Sequence, residues 1–245
     1  MMQNTRLDDF GMEFKSLVNK KLEWNDFLAQ GKALLSELVL DPTWFRPVLS
    51  KLVLDEAFLK SQWLSIDPND LQIYRDADKA FSIRAFIWEP SVRYPIHDHG
   101  AWGIVGAHIN RVGEIKYVRV DDGSNPDYAE VRAISEAILS PGEITVVMPV
   151  NDGIHQMAAM DGKTAVSIHI YGSPVRKGYI HYYNAHNHTA HRMYPPYTDK
   201  KVLAIRTLGS VPEEWSESVL NDALKTDGPD FIKMECRLAL EKMKG

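Results

Sequence analysis

Two histidines one residue apart, His97 and His99, stand in the apolar segment PIHDHGAWG and are candidate metal ligands. Successive side chains of a strand point to opposite faces, so the two imidazoles would share one face while Asp98 points the other way. A third candidate is His155, which follows a turn in PVNDGIHQM. Imidazole nitrogens bind zinc, iron, copper and nickel. The spacing therefore predicts a three-histidine metal site.

A buried histidine can also have a purely structural role, in which its ring only forms a hydrogen bond within the core. We assign this role to His108. For the paired histidines and His155, ligand type and spacing favour metal binding over this alternative. The ligand set leaves the metal itself open, because three imidazoles suit zinc as well as iron.

A second group of polar residues follows in the segment SIHIYG. On a strand Ser167, His169 and Tyr171 share one face, so a hydroxyl, an imidazole and a phenol could form one hydrogen-bonded row that relays a proton. The alternative is an alternating strand whose polar face is only solvated. The three histidines nearby favour the functional interpretation.

The chain changes its pattern along its length, which indicates the elements that carry these residues. Helical spacing predicts an N-terminal helical segment, in which Asp41 caps a helix that starts at Pro42. Short alternating runs separated by turn residues then predict a β sandwich or small barrel. The predicted divisions are a helical lead-in packed on the barrel (1–70), the barrel (71–183), a loop rich in His, Tyr and Pro (184–199) and a helical extension (200–245).

Composition restricts the function classes. The net charge of −5 and the 28 basic residues scattered among 33 acidic ones give no footprint for nucleic acid or anionic lipid. Cys236 is the only cysteine, so an intramolecular disulfide is impossible. With no signal-like start and no long apolar run, we expect a cytoplasmic protein without a membrane segment, whose partners are small molecules.

The segments PIHDHGAWG and SIHIYG resemble the thiol dioxygenases of the cupin superfamily, which include cysteine dioxygenase and bacterial 3-mercaptopropionate dioxygenase. The resemblance covers about residues 35–183. It implies a mainly β fold, the double-stranded β-helix barrel of the cupins, with helices before it. Many cupins carry a glutamate ligand four or five residues after His-x-His, but here Gly103 and Ile104 occupy those places.

The resemblance also implies an activity and roles for the residues. His97, His99 and His155 would hold ferrous iron, Fe2+, and the full charge and open positions of that ion would let a thiolate and O2 bind together. Both oxygen atoms of O2 would pass to the sulfur of 3-mercaptopropionate or L-cysteine and give a sulfinic acid. Tyr171 would lie nearest the iron, oriented by His169 and Ser167.

Substrate-binding residues are expected on the first two strands, in DLQIYRDADKAFSIRAFIW. Alignment with the family places Gln72 at the position that recognises the carboxylate, with Tyr74 on the same face; a slip of one residue would put Arg75 there instead. Trp88 matches a pocket tryptophan of the family, and alternation carries Arg84 onto its face. Arg84 is thus a candidate carboxylate clamp, as is Arg176 beyond the second motif.

Two alternative functions stay open, one enzymatic and one without catalysis. The chain could be a cupin enzyme that uses another metal on a different small molecule, or a non-catalytic cupin that binds a small ligand. Four histidines between His181 and His191 could form a second metal site, although a loop that lines the pocket or an interface between copies is favoured. The C-terminal extension resembles one HEAT-like helical hairpin, which must pack on the barrel or on another subunit, so a homo-oligomer is among the expectations.

Overall fold

The structure, a computed structural model, describes residues 5–62 and 65–244. The chain separates into two compact units, one that runs to Met193 and one that starts at Tyr194. All the candidate site residues predicted from the sequence belong to the first unit. Within the described ranges, no helix is both long and apolar enough to cross a lipid bilayer.

Helices precede the strands, as the apolar spacing predicts. In the described part of the first unit they are α1 (Thr5–Asn19), α2 (Trp24–Leu40), α3 (Arg46–Leu54) and α4 (Glu56–Ser61). A single 3-10 turn, Pro42–Phe45, joins α2 to α3. The carboxylate of Asp41 caps this turn by accepting a hydrogen bond from the backbone N–H of Thr43 at 2.9 Å, which confirms the predicted cap.

Eleven strands follow within the described ranges and form two antiparallel sheets. They are β1 (Asp70–Arg75), β2 (Phe81–Trp88), β3 (Ile96–His97), β4 (Gly103–Ile109), β5 (Val112–Arg119), β6 (Val131–Leu139), β7 (Ile144–Val147), β8 (His155–Ala159), β9 (Ala165–Gly172), β10 (Ile180–Asn184) and β11 (Thr189–Met193). One sheet has the order β1-β2-β9-β4-β7, and the other has the order β11-β10-β3-β8-β5-β6.

The path of the chain between the sheets identifies the fold. Apart from β1, β6 and β11, which lie at sheet edges, successive strands alternate between the two sheets from β2 to β10. Apolar side chains from both sheets, such as Trp88 on β2 and Met157 on β8, pack into one shared core. Two facing antiparallel sheets wound in this way form the double-stranded β-helix of the cupins, so the predicted fold is confirmed.

Strand β9 shows how the fold sorts apolar from polar side chains. Ile168 and Ile170 are buried in a cluster that also contains Phe14 of α1 and Leu35 of α2, so this face of the sheet packs against the helices. Alternation then turns the intervening His169 toward the barrel interior. The helices therefore cover the outside of the sheet and leave its inner face for the site.

The segment 184–199 is not the loop that the sequence predicts. Strands β10 and β11 pair as an antiparallel hairpin from Ile180–Met193 to Asn184–Thr189, and β10 also pairs with β3. Strand alternation was hard to recognise because the buried positions of β11 are held by a small residue, Ala190, and a charged one, Arg192. The hairpin extends the second sheet directly beside the first histidine motif.

The second unit is helical, as predicted, but contains three helices in the described ranges rather than a two-helix hairpin. They are α5 (Pro196–Leu208), α6 (Glu214–Lys225) and α7 (Asp230–Lys242). Within this unit the buried carboxylate of Glu235 accepts hydrogen bonds from the Tyr194 hydroxyl at 2.8 Å and from Arg206 Nε at 3.0 Å. These bonds connect α5 and the start of the unit to α7.

Candidate metal centre

The three histidines of the predicted metal site converge in the barrel interior. His97 on β3 and His155 on β8 are directly opposite each other in the β3–β8 pairing. His99 lies two residues beyond His97, and its Nε2 is 2.9 Å from Nε2 of His155. One ring nitrogen from each of the three buried residues lies within 4.8 Å of the others, and no other such His, Cys, Asp or Glu group occurs in the described residues.

The arrangement fits a bound divalent ion. Two nitrogens that bind one ion at about 2.1 Å and a right angle lie about 3 Å apart, as His99 and His155 do. His97 Nδ1 lies 3.1 Å from the carbonyl oxygen of Pro95, which can only accept, so this nitrogen carries the proton and Nε2 keeps its lone pair. Burial and then the neighbouring histidines lower the pKa of His97 to about 4 and that of His99 well below its usual range. These rings are therefore neutral near pH 7, as metal ligands must be.

Glu114 on β5 is a site residue that sequence analysis missed. Its buried carboxylate accepts a hydrogen bond from His155 Nδ1 at 2.8 Å and another from the Thr145 hydroxyl at 2.7 Å. Burial alone would raise the pKa of Glu114, but the hydrogen bond from His155 outweighs burial and lowers it. The bond leaves His155 Nε2 for the metal and fixes the ring. The available signal was a glutamate two residues from buried Val112 on the same strand face.

The polar row on β9 is present and continues into β2. The Ser167 hydroxyl oxygen lies 2.7 Å from His169 Nε2, and His169 Nδ1 lies 2.8 Å from the Tyr171 hydroxyl oxygen. At the other end the Trp88 indole N–H donates to the Ser167 oxygen at 2.8 Å. Trp88, predicted as a pocket residue, is therefore the anchor of the row.

The Trp88 indole sets the direction of donation along this row. Because an indole N–H can only donate, the Ser167 oxygen accepts from it, and His169 is the one described acceptor within reach of the Ser167 proton. The pKa of His169 is lowered well below its usual range, first by burial, so the ring is neutral and carries its proton on Nδ1. That N–H donates to the Tyr171 oxygen. The Tyr171 hydroxyl hydrogen is consequently left to point away from His169.

The Tyr171 side chain stands next to the three histidines. Its ring centroid lies 5.0 Å from that of His99. Burial, followed by the charge of Asp70, raises the pKa of Tyr171 well above its usual range, so the phenol keeps its proton. Gly103 on β4 makes room for the ring, since a Cβ there would lie 2.7 Å from a ring carbon of Tyr171. The predicted row and the predicted metal site thus form one site.

The predicted face of β1 is only partly correct. Gln72 is opposite Arg84 of β2, on the face that turns toward the barrel interior. Tyr74 was expected on that same face, but a β-bulge between Gln72 and Tyr74 shifts the register. Tyr74 therefore packs outward, stacked on Phe81 within the helix-covered core. A single-residue bulge moves every later side chain of the strand to the opposite face. The alternation of residue types in the sequence does not reveal where such a bulge occurs.

Both candidate arginine clamps are bound to buried aspartates. Arg84 forms an ion pair with Asp70 of β1. Arg176 forms a two-pronged ion pair with Asp98, the residue between the two histidines. Arg176 uses both of its terminal nitrogens on Asp98, whereas Arg84 contacts Asp70 through Nη1 and lies in register with His169.

Asp98 points away from its two neighbours, as the strand pattern predicts, and organises the wall of the site. It is fully buried and accepts hydrogen bonds from the backbone N–H of His181 at 2.8 Å and from the Tyr183 hydroxyl at 3.0 Å, besides Arg176. Burial would raise the pKa of Asp98, but the bonds from His181 and Arg176 outweigh it and hold the pKa well below its usual range. His181 therefore serves this cluster and not a second metal site.

Comparison with solved structures finds partial likenesses to cupin proteins. No protein-family model matches the chain. A cupin-like protein from Thermotoga maritima MSB8 is 17% identical with a TM-score of 0.32, over 42% of this chain and 66% of that protein. A Cupin 2 conserved barrel domain protein from Salinispora arenicola CNS-205 is 16% identical with a TM-score of 0.32, over 45% of this chain and 81% of that one.

The DMSP lyase DddQ from Ruegeria pomeroyi DSS-3 is also similar, at 13% identity and a TM-score of 0.30. The match covers 40% of this chain and 41% of the lyase. The chain thus aligns with less than half of that enzyme and with about two thirds of the Thermotoga protein.

Proposed function

We propose that the protein is a non-heme iron thiol dioxygenase, which adds both atoms of O2 to the sulfur of a small thiol. The observation that carries the proposal is the Ser167-His169-Tyr171 row, whose phenol lies beside His99 and keeps a hydroxyl hydrogen to donate. A protein that only bound a ligand would not require such a row. The net reaction, RSH + O2 giving RSO2H, balances without a further co-reactant.

The chain's own residues would prepare the reaction in three ways. His97, His99 and His155 would hold the metal as neutral ligands, and ferrous iron held there supplies open binding positions and electrons for chemistry between a thiol and O2. Glu114 keeps the ring of His155 oriented. Tyr171 would donate its hydroxyl hydrogen to the reacting group, because His169 already occupies its acceptor position.

Apolar side chains form the walls around these polar groups. Phe86 packs on His169 with ring centroids 4.3 Å apart, and Val105 is fully buried in the same cluster. Such walls exclude bulk water from the phenol and the histidines, so each hydrogen bond in the site acts in a low-dielectric surrounding.

The test is oxygen uptake by protein loaded with ferrous iron under nitrogen, with cysteamine, 3-mercaptopropionate and L-cysteine as substrates and sulfinate as the measured product. His155→Ala should abolish uptake with the loss of a ligand. Tyr171→Phe should retain iron but lower the rate about 10² to 10⁴-fold, the range of a lost proton donor. Iron bound tightly without uptake of O2 with any thiol would contradict the proposal.

Two further outcomes would identify the alternatives. Zinc or nickel in the native protein would favour a cupin enzyme with a different metal. Stabilisation by a thiol without any consumption of oxygen would favour a non-catalytic binding protein.

A further inference from the structure

The outer face of the second sheet is exposed where three of its strands, β5, β6 and β8, lie side by side. The helices of the first unit pack on the other sheet, α2 against β4 and β7 and α1 against β1. Strand β6 is exposed from position 132 to position 138, although β5 pairs with it along its whole length. Ile138 is 50% exposed, and Val92, in the segment before β3, is 46% exposed. Exposed aliphatic side chains that cluster in this way mark an interaction surface.

Strand pairing shows which side chains form this face. Glu114 of β5 points into the barrel toward His155, so its neighbours Gly113 and Ile115 point outward. The residues directly opposite these two on β6 and β8, which share their face, are Ile138, Glu136, Ala158 and Gln156. Together with the segment 91–94 they line a groove of about 620 Å³, which has room for side chains of a partner.

Two charges of opposite sign stand at this groove without a partner. Arg93 and Glu136 both line it, and neither forms an ion pair or a side-chain hydrogen bond with another described residue. Both act on Tyr117, because burial raises the pKa of its phenol while the charge of Arg93 opposes this rise and that of Glu136 adds to it. A surface that carries both a cation and an anion can be complementary to a second copy of itself, since a twofold axis brings each charge opposite its counterpart.

Strand β6 lies at the edge of its sheet, so pairing between two edges is another way of joining two copies. A β-bulge disfavours it. Lys116 is opposite Ser135 and Tyr117 is opposite Ala133, which leaves Ile134 as an extra residue of β6. Bulges of this kind interrupt the regular ladder that edge pairing requires. Packing between the two outer faces is therefore favoured.

We infer that the outer face of β5, β6 and β8 is the interface of a homodimer, in which two copies pack face to face about a twofold axis. Ile138 and Val92 of each copy fill the groove of the other, and Arg93 of one copy pairs with Glu136 of the other. The interface thus lies behind the strands that carry the metal centre, because His155 and Glu114 point to the opposite face of β8 and β5.

Sedimentation velocity of the full chain tests the inference. Over concentrations of about 1 to 100 µM we expect a dimer with a dissociation constant in the micromolar range. Ile138→Lys should raise this constant about 30-fold or more, because it places a charge in the centre of the apolar contact. The control is Lys32→Glu at an exposed position of α2, which covers the first sheet, and it should leave the constant unchanged. A protein that stays monomeric throughout this range would overturn the inference.

Exchange of the two charges tests the predicted pairing. Arg93→Glu and Glu136→Arg should each raise the dissociation constant about tenfold or more, because like charges then meet across the interface. The double variant Arg93→Glu/Glu136→Arg restores the pair in reverse and should return the constant to within about threefold of the unsubstituted value. A dimer that tolerates each single reversal, or that the double variant fails to restore, would contradict the assigned interface.

Hydrogen exchange distinguishes a second copy from another occupant of the groove. Exchange in β6 should slow as the dimer forms with rising protein concentration. Slow exchange of β6 in a protein that stays monomeric would overturn the inference and identify the occupant as another part of the same chain. None of these measurements depends on oxygen uptake, so the interface and the proposed dioxygenase are tested separately.

Discussion

Glu114 stands beside the three histidines without joining them, and this position explains how the site combines neutral ligands with a fixed geometry. A carboxylate bound to the metal would cancel part of the charge of the metal. Glu114 instead only accepts a hydrogen bond from the N–H of His155. The metal would keep its attraction for an anionic thiolate. The ring orientation is still imposed, because Thr145 holds the carboxylate from its other side.

Replacing Glu114 by Gln should therefore weaken metal binding about 10 to 100-fold, the usual effect of losing an outer hydrogen-bond partner of a ligating histidine. Competition with a chelator measures the affinity. The control is Thr145→Val, which touches the same carboxylate but not the ligand and should change the affinity much less. Equal affinities for the Glu114→Gln and unsubstituted proteins would show that His155 does not depend on this bond.

The direction of donation along the polar row gives a second prediction at this scale. Trp88→Phe removes the donor that forces Ser167 to give its proton to His169. The His169 proton should then populate Nε2 as well as Nδ1, the Tyr171 hydrogen should turn back toward His169, and turnover should fall about tenfold or more. Nitrogen-15 NMR of the imidazole reports the tautomer directly.

Phe86→Leu is the matched control for this variant, because Phe86 packs on His169 but donates no hydrogen bond. It should preserve the Nδ1–H tautomer. An unchanged tautomer in Trp88→Phe would mean that Trp88 does not set the direction of the row.

At the scale of elements, the alternation of residue types predicts the faces of the regular strands, but it fails where a strand contains a bulge or a buried charged residue. Strand β9 alternates without interruption, so the shared face of its polar residues was predictable. The bulge in β1 reversed the expected face of Tyr74, since nothing in the residue types marks an unpaired position. In β11 the buried side chain of Arg192 concealed the strand, because a charged residue is rarely buried.

Asp98 shows how the structure joins elements that the sequence separates widely. It connects the end of β3 to Arg176, which follows β9, and to the backbone of β10. These residues are 78 and 83 positions away in the chain. One buried carboxylate therefore holds the hairpin against the histidine motif.

Asp98→Asn should destabilise the metal-free protein by about 3–5 kcal/mol at pH 7, because Arg176 keeps a buried charge without its partner. The native pKa of Asp98 lies below its unfolded value, so its contribution is present above about pH 4 and is lost as the pH falls further. The deficit of the variant should accordingly shrink below about pH 4. Urea unfolding at several pH values measures this, with exposed Asp78→Asn as the comparison.

At the scale of the whole molecule, the sequence predicts which residues form the site but not which charged residues pair with each other. The three histidines and the β9 row lie in short motifs with recognisable spacing. Which arginine is free depends on strand neighbours, as with Arg84, which pairs with Asp70 only because β1 and β2 are adjacent and in this register. An expectation about the charge of the substrate therefore requires the folded barrel.

The division of the chain into two units yields the last prediction. All candidate site residues lie before Tyr194, whereas the buried Glu235 joins helices of the second unit. Glu235→Ala removes this acceptor from Arg206 and from the Tyr194 hydroxyl and should destabilise the second unit by about 1.5–3 kcal/mol. Metal affinity should stay within about threefold of the unsubstituted protein, because the substitution changes neither a metal ligand nor a residue that hydrogen-bonds to one.

Hydrogen exchange followed by mass spectrometry separates the two effects in the full chain. Exchange should accelerate in α5, α6 and α7 and remain slow in the strands that carry the histidines. The control is Lys225→Ala, which removes only an exposed ion pair with Asp222 and should leave both units protected. If the Glu235 variant lost metal affinity together with protection of the barrel strands, the second unit would have to be counted as part of the structure that supports the site.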